Sequence, residues 1–396
     1  MKWFETCDSE LQQARLFSEP PRDPIIATVL RGQVLETLCS AIQSHGDAKL
    51  LGGLEVHIDG ENYHGDGVTH EVLSLLALEL CYTDVGLFKV DPEGGMLHPS
   101  NQSGVKLDHL EYFALTGTLI GVALSSGGHL PVPLSSLLLK MFLDIELSIH
   151  DLKDVDAEVY RSLFCRLRSL IEEEIWSLES DFTYNDVFFG EMNIVNLLRV
   201  GGSPQRVTTQ SEADIYLRLV AHQLMQGCVH QQIVALKRGL HALVPEMLLR
   251  TAGKLFSAEE FRQLIAGIAE IDSLVLDDWQ EHTQYAVKAF WQSKLSGQFY
   301  EKRVSPEDRG ALLRFVHGSP RAPARGFSSL LGCNGNIHRF SLVKAEAEVH
   351  NAYPRTQTCF NKLFLPTHTS TNKMECCLRI VLSSSAAGFD EGAMVG

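Results

Sequence analysis

The sequence contains no Cys-x-x-Cys pair, although cysteine occurs nine times, at positions 7, 39, 81, 165, 228, 333, 359, 376 and 377. Without that spacing neither a zinc ribbon nor a thioredoxin-type redox pair is encoded. Positive charge is scarce: 34 Lys and Arg stand against 49 Asp and Glu, a formal net charge of −15. A nucleic-acid partner, which needs a basic face, is not expected. Long apolar runs are missing as well. The most apolar stretch, Ala114 to Leu124, is about half of the roughly 20 residues that cross a bilayer, so no membrane span is expected. Met1-Lys2-Trp3-Phe4-Glu5 lacks the apolar centre of a signal peptide. The Asn101-Gln102-Ser103 sequon therefore carries no argument for glycosylation. These absences predict a reduced, soluble, intracellular chain, cytoplasmic with the nucleus left open.

Several chemistries fail for want of one residue. His70-Glu71 begins a zincin-like pair, but Ser74 stands where the second histidine belongs. Gly65-Asp66-Gly67 would continue into a dinucleotide fingerprint only with glycine at position 70, which is His70. No Gly-Lys-Ser/Thr for a phosphate-binding loop occurs. His57, Asp59, His64, Asp66 and His70 are metal-ligand types in no standard spacing and read as polar residues between a strand and a helix. No metal and no cofactor is expected.

What is present is ample core material, 45% hydrophobic in 396 residues, enough for two or three domains. Periodicity predicts an amphipathic helix from Ile26 to Ser44, with Val29, Val34, Leu35, Leu38 and Ile42 as its apolar face. Gly52-Gly53 ends that arm, and Leu54–Ile58 alternates like a strand. Further helices are predicted over Val72–Leu80, His109–Ser125 and Tyr160–Ile175. The second carries a small-residue face of Ala114, Gly117 and Gly121; the third ends in Glu172-Glu173-Glu174. Three later helices carry start and stop signals: Ser211 with Asp214, running to Gly227; Ser257 with Glu260, ending at Gly267; and Ser305-Pro306-Glu307-Asp308, closed by Gly318. After Gly318 short apolar runs, Phe340–Val343 and Lys362–Leu365, read as strands, and Lys373–Leu382 as a last helix. The chain is thus mostly helical for roughly 270 residues and then α+β, with no internal repeat.

The segment Tyr353-Pro354-Arg355-Thr356-Gln357-Thr358-Cys359-Phe360-Asn361-Lys362-Leu363-Phe364-Leu365-Pro366 places a cysteine in a turn directly before an apolar strand. A loop thiol beside a rigid element can be exposed and aimed, which nucleophilic chemistry needs. A cysteine taken alone is more often a small buried hydrophobe, and Cys376 and Cys377 are read that way. The residues themselves leave both readings of Cys359 open.

The Thr-Cys-Phe-Asn core followed by Leu-x-Leu-Pro resembles the catalytic loop of the HECT domain of ubiquitin ligases. Supporting matches occur in order: Gly86-Leu87-Phe88; His109-Leu110-Glu111-Tyr112-Phe113; Gly121-Val122-Ala123-Leu124 with Pro131-Val132-Pro133; and Phe188-Phe189-Gly190-Glu191. They continue with Phe256-Ser257-Ala258-Glu259-Glu260, Phe290-Trp291, and Phe315-Val316-His317-Gly318-Ser319-Pro320-Arg321-Ala322-Pro323. The likeness runs from about Leu30 to Phe389. It implies an α+β, bilobal fold. After an N-terminal arm over 1–50 comes a mostly helical N-lobe over 51–268, containing a small subdomain at about 160–245 that docks a ubiquitin-conjugating enzyme. A short hinge near Gly267-Ile268-Ala269-Glu270 leads to a smaller α/β C-lobe over 271–396 that carries Cys359.

The same resemblance implies the chemistry. Cys359 accepts ubiquitin as a thioester from the conjugating enzyme and passes it to a substrate lysine. Thr358 and Arg321 support it, and Leu163, Leu167, Tyr216 and Leu217 contact the conjugating enzyme. The implied partners are that enzyme, ubiquitin and protein substrates. Departures from the family pattern are Gln357, where the family often has histidine; Gly65-Asp66-Gly67-Val68-Thr69-His70-Glu71, which replaces adjacent glycines and an arginine; and Phe389, followed by seven further residues with Asp390 and Glu391 among them. Two other classes are kept beside the ligase. One is a HECT-like module that only binds ubiquitin or its conjugating enzyme. The other is a cysteine hydrolase using His338, His350 or His368. With about fifty residues before Leu54, either the chain is the C-terminal part of a larger protein or a partner recruits its targets.

Overall fold

The computed structural model describes residues 25–30, 33–45, 54–60, 86–90, 95–126, 129–154, 156–165, 172–177, 180–188, 191–198, 205–268, 271–285, 306–332, 337–344, 353–366 and 376–382, with the helical residues 72, 73, 75, 76, 79 and 80. Side chains of a few of these, Leu163 and Cys359 among them, lie outside the described set.

The first element corrects the sequence expectation. Ile25–Val29 is a strand, β1, paired in parallel with β2, Leu54–Ile58. The helix α1 begins only at Val34 and ends at His45. Along β1 burial alternates: Ile25, Ala27 and Val29 are each 1% exposed, whereas Ile26 is 55% exposed. That period of two suits β-branched residues on a pleat and would waste half of them on a helix. The predicted face of α1 holds from Val34 onward, with Val34, Leu35, Leu38, Cys39 and Ile42 buried.

A short antiparallel pair follows, β3 (Phe88–Val90) with β4 (Leu97–Pro99), and then α2 (His109–Ser126) and α3 (Ser136–Phe142). Ser135 caps α3 by accepting from the Leu138 amide at 3.2 Å, and its hydroxyl meets His98 Nδ1 at 3.2 Å. Of the helix predicted over Tyr160–Ile175, the described residues 160–165 and 172–175 are helical. They belong to an α-turn Ala157–Val159 that runs on into a π-turn Tyr160–Cys165, and to a helical stretch Glu172–Ser177. Tyr160 anchors the π-turn: its hydroxyl bonds His150 Nδ1 at 2.7 Å, and Lys153 lies 4.8 Å from its ring centre. An antiparallel hairpin, β5 (Thr183–Phe188) with β6 (Glu191–Asn196), then packs beside α4 (Gln210–Met225).

The cap of α4 is Thr209, not Ser211. Thr209 accepts from the Glu212 amide, while Glu212 accepts from the amides of Thr208 and Thr209 and from the Thr208 hydroxyl. These bonds hold the Glu212 carboxyl below its ordinary pKa. The reciprocal box of Thr209 and Glu212 offers more bonds than Ser211 with Asp214, so it sets the start.

Helix α5 (His230–His241) crosses α2 in backbone contact. A Cβ on Gly239 would lie 1.9 Å from the Ala114 carbonyl oxygen, and one on Gly117 would lie 1.9 Å from that of Leu236. The small-residue face predicted on α2 is therefore the seat of its partner helix. Helix α6 (Ala258–Ala266) has the predicted start and stop: Ser257 and Glu260 form a reciprocal box, and Gly267 follows at φ 73°. Ile268 then pairs with Ala322 through bonds of 2.8 and 3.0 Å. A Cβ at Gly267 would come within 2.9 Å of the Ala322 oxygen, so both the left-handed backbone and the close approach require glycine there.

Beyond this junction lie α7 (Ser273–His282), β7 (Gln284–Tyr285), α8 (Pro306–His317), β8 (Ser341–Lys344), β9 (Arg355–Gln357) and β10 (Lys362–Leu365). The sheet order is β7-β8-β10-β9; β8 runs parallel to β7 and β10, and β9 is antiparallel to β10. The core separates into three clusters. The largest spans β1 to α6; a small one joins Ile175, Phe182, Val207 and Ala213; the third runs from Ile271 to Leu382. Trp279 centres the third, stacked on Phe327 with ring centres 4.9 Å apart and edge-on to Phe340. Among the described residues no helix is long and apolar enough to cross a membrane.

Two predictions follow from the large core. Gly239→Ala destabilises by about 2–3 kcal/mol, because the added methyl drives α5 off α2. Elsewhere in a helix the same change is favourable by about 0.5–1 kcal/mol, so the sign of the shift in urea midpoint checks the helix contact. His98 is 2% exposed, and burial, helped by Lys89, pushes its pKa down to about 3. The unfolded chain therefore binds the proton first, near the ordinary value of about 6.5. The contribution of neutral His98 is complete above that value and is lost as pH falls from there toward 3. Urea midpoints measured from pH 7 to pH 4 decline, and His98→Asn flattens the decline.

Candidate active site

Strands β9 and β10 form a hairpin in which Gln357 opposes Lys362, Thr356 opposes Leu363 and Arg355 opposes Phe364. They are joined by a 3-10 turn, Thr358–Phe360, and by Asn361 at φ 50°, ψ 42°. Cys359 is the middle residue of that turn. Asparagine is among the few non-glycine residues that tolerate this left-handed backbone. Leu363 and Leu365, exposed by 1% or less, fix β10 in the third core, so the turn projects from a seated strand.

The side chain of Asn361 holds the turn in place. Fully buried, it donates from Nδ2 to the carbonyls of Leu331 at 2.9 Å and His338 at 2.6 Å. Its Oδ1 meets His317 Nδ1 at 2.9 Å; because Oδ1 only accepts, His317 carries its proton on Nδ1. On the main chain the Asn361 amide donates to the Thr358 carbonyl at 3.2 Å, and the Asn361 carbonyl accepts from the Ser341 amide at 2.9 Å. One residue thus ties the turn to the end of α8, to the segments around 331 and 338, and to β8. The atoms packed around His317 disfavour its charged form and push its pKa down, while the bond to Asn361 opposes that shift.

Phe360 is 42% exposed. The His338 ring meets it edge-on at 5.2 Å, and Lys362 Nζ lies 5.3 Å from its centre. Thr358 is half-buried and enters the turn through its carbonyl. Arg321 lies elsewhere, on the segment that pairs with Ile268, where its Cβ faces Gly267. Sequence reasoning passed over Asn361 and His317 as site residues. Asparagine after a turn and before an apolar strand was the available signal.

The residues expected to contact a conjugating enzyme divide. Leu217 is 3% exposed and packs into the large core. Helix burial claimed it because it lies on the inward stripe of α4 with Ala213, Val220 and Ala221. Tyr216 is half-buried, edge-on to Phe182 at 6.0 Å, and its hydroxyl donates to the Thr183 carbonyl at 3.3 Å. Leu167 and the Leu163 side chain lie outside the described residues, as do Phe290-Trp291, His350, His368, Phe389, Asp390 and Glu391. Of the two cysteines read as packing residues, Cys377 is buried and Cys376 is exposed, a correction for the latter: the inward face of that helix is taken by Cys377, Leu378, Val381 and Leu382. His57 pairs with Glu55 at 3.1 Å, and among the described residues no three His, Cys, Asp or Glu converge on a metal position.

A cysteine at the tip of a hairpin seated on a small sheet, beyond a larger helical core, defines a class. The family model described as HECT-domain (ubiquitin-transferase) matches residues 74–391, and this chain belongs to that family. Among curated proteins it is similar to the E3 ubiquitin-protein ligase HACE1 of Bos taurus, 29% identical over 391 residues that cover 98% of this chain and 42% of that protein. It is likewise similar to the HACE1 of Danio rerio, 30% identical over 93% of this chain and 40% of that one. The E3 ubiquitin-protein ligase ptr1 of Schizosaccharomyces pombe is 30% identical over 92% of this chain and 11% of its own length. The chain spans less than half the length of the curated relatives it matches.

Removal of the Asn361 side chain tests the anchor. Asn361→Gly keeps the left-handed backbone but leaves two carbonyls and the His317 N–H without their partner. At roughly 1 kcal/mol for each bond, the expected loss is about 2–3 kcal/mol in denaturant unfolding. A variant as stable as the parent would show that the side-chain bonds do not hold the turn.

Proposed function

We propose that this chain is the catalytic module of a HECT-type ubiquitin ligase, with Cys359 as the residue that carries ubiquitin. The observation that bears most weight is the position of Cys359 at the tip of the β9–β10 turn, within the residues that match the family. In this reading the first and second cores form the N-lobe, with the small subdomain around the β5–β6 hairpin as the docking region for a ubiquitin-conjugating enzyme. The third core is the C-lobe, and the segment after Gly267 is the hinge. Tyr216, and the exposed Met192 and Ile194 on β6, suit the docking role better than buried Leu217, because an apolar surface gains by being covered. We place the activity inside the cell, where the reduced thiol is maintained.

The chemistry is a pair of acyl transfers. The Cys359 thiol loses its proton, and its sulfur attacks the carbonyl of the ubiquitin thioester on the conjugating enzyme. A new carbon–sulfur bond forms as the old one breaks, and the departing thiolate of the conjugating enzyme takes up a proton. One thioester replaces another, so the free energies nearly balance and the protein's contribution is proximity and orientation. A substrate lysine amine then attacks the thioester on Cys359; an amide forms, the Cys359 thiolate leaves, and the amine gives up a proton. Amide formation makes this step downhill. The residues require no metal or cofactor for either step. Moving Cys359 between donor and acceptor is the task of the short junction at Gly267.

A thioester assay with activating enzyme, a panel of conjugating enzymes and labelled ubiquitin tests the reading. The wild-type chain acquires a reductant-sensitive adduct that Cys359→Ala lacks, while both unfold at the same temperature. No adduct from any conjugating enzyme, with folded protein, overturns it in favour of a module that only binds. Release of ubiquitin without a conjugating enzyme overturns it in favour of a hydrolase.

A further inference from the structure

The charge around the Cys359 turn is opposite to that of the chain as a whole. The protein carries 49 Asp and Glu in 396 residues, about one in eight, yet none occurs from Arg309 to Ala345 or from Val349 to Met374. These two stretches supply α8 from Arg309 onward, β8, β9, β10 and the turn itself. On the elements packed about the turn, the titratable and charged groups are Glu307, Asp308, Arg309, Arg314 and His317 of α8, His338 and Arg339 ahead of β8, Lys344 of β8, Arg355 of β9 and Lys362 of β10. The two carboxylates, Glu307 and Asp308, lie in the first turn of α8, about 13 Å or more along the helix from His317, whose end is tied to the Cys359 turn. His317 is engaged by Asn361 through Nδ1 and is pushed toward its neutral form.

Register singles out one of these cations. Directly opposed residues of an antiparallel pair project to the same side of the sheet, so Lys362 shares a side with Gln357, and Arg355 with Phe364. Residues 355 and 357 are two apart on β9 and lie on that side together. The other side carries Leu363 and Leu365, which enter the core. Lys362 is the residue at which β10 leaves the turn, and its ammonium folds back over the turn to lie 5.3 Å from the centre of the Phe360 ring. That cation–π contact holds a positive charge against the neighbour of Cys359. Across the ladder, Gln357 is uncharged and supplies none.

We propose that Lys362 is a positioning residue for the reaction of Cys359: its ammonium, held on the Phe360 ring at the base of the hairpin turn, supplies the fixed positive charge that favours the attacking thiolate. This inference rests on the reading of Cys359 as the nucleophile. A thiolate, not a thiol, attacks a thioester, and a cation close by stabilises the anion at the expense of its protonated form. Lys362 acts through the field at the turn, while Asn361 fixes the backbone. The two contributions are separable because the Lys362 side chain lies on the side of the hairpin opposite Leu363 and Leu365, so its replacement leaves the core intact.

The experiment follows the rate of Cys359 alkylation by iodoacetamide against pH, read by mass spectrometry of the peptide that contains Cys359, in wild type, K362M and K362R. Thermal midpoints are recorded in parallel, and the ubiquitin thioester assay is run on the same proteins. In K362M the midpoint of the pH–rate curve rises by about half to one pH unit, so that at pH 7 the alkylating fraction falls roughly three- to tenfold. K362R restores the wild-type midpoint. Raising salt to 1 M narrows the difference, since the charge lies near solvent. Thioester formation slows in K362M near pH 7 and recovers toward pH 9. An unmoved midpoint in K362M, or an equal shift in K362R, overturns the role of the Lys362 charge while leaving thioester formation on wild type intact. If instead wild type forms no thioester but the K362M midpoint shifts, the ligase reading fails and the electrostatic role of Lys362 stands.

Discussion

The carboxamide of Asn361 is the interaction on which the arrangement of the site depends. A buried primary amide has two donors and an oxygen acceptor, and here its partners come from parts of the chain up to 44 residues away. Leaving such a group unpaired inside a protein is costly, so the amide selects the one packing of α8, the 331–338 region and β10 that satisfies it. The left-handed backbone at Asn361 reverses the chain after Phe360 and sends β10 into the core. The turn that holds Cys359 is thereby fixed from its C-terminal end by Asn361.

The large core applies the same logic at a different scale. Two helices brought to backbone contact at Gly117 and Gly239 leave no room for a side chain between them, and the residues of the large core pack around that crossing. At its end, Gly267 turns the chain in a conformation open to few other residues and hands it to Ile268, which pairs with Ala322. The helical core and the small sheet bearing the turn are thus separate clusters of buried residues, with Gly267 at the end of the first. The two stretches free of Asp and Glu give the sheet side a local charge opposite to the net −15. The electrostatic setting of the turn is thus local to the sheet and independent of the acidic surface elsewhere.

Much of this was legible in the residues. Ser257 with Glu260, Gly267 as a stop, and Pro306 to Gly318 as a helix appear as read, because a cap is satisfied within three or four residues of itself. The strand Lys362–Leu365 and the turn at Cys359 were equally plain, since an apolar run between turn-forming residues has few alternatives. The start of α4 was missed by two residues because Thr209 and Ser211 can both cap, and the choice rests on which acidic residue can reach back. The strand Ile25–Val29 was read as helix, for its apolar residues suit either period until a partner strand is known. Leu217 was placed beside Tyr216 among the docking contacts by the family resemblance, and its burial shows only once α4 is packed. Which of two adjacent helical residues faces inward depends on where the neighbouring core lies.

Short-range hydrogen bonding and apolar spacing are therefore written into the chain: helix ends, the turn before β10, and a cysteine placed at its centre. Long-range pairing is not. The parallel partners of β1 and β8, the meeting of Gly117 with Leu236, the convergence of Leu331, His338 and His317 on Asn361, and the fold of Lys362 over Phe360 emerge only when distant segments are packed together. The reason is that each of these contacts lowers the free energy only in company with the others. A local stretch of sequence carries no sign of the partner it will find.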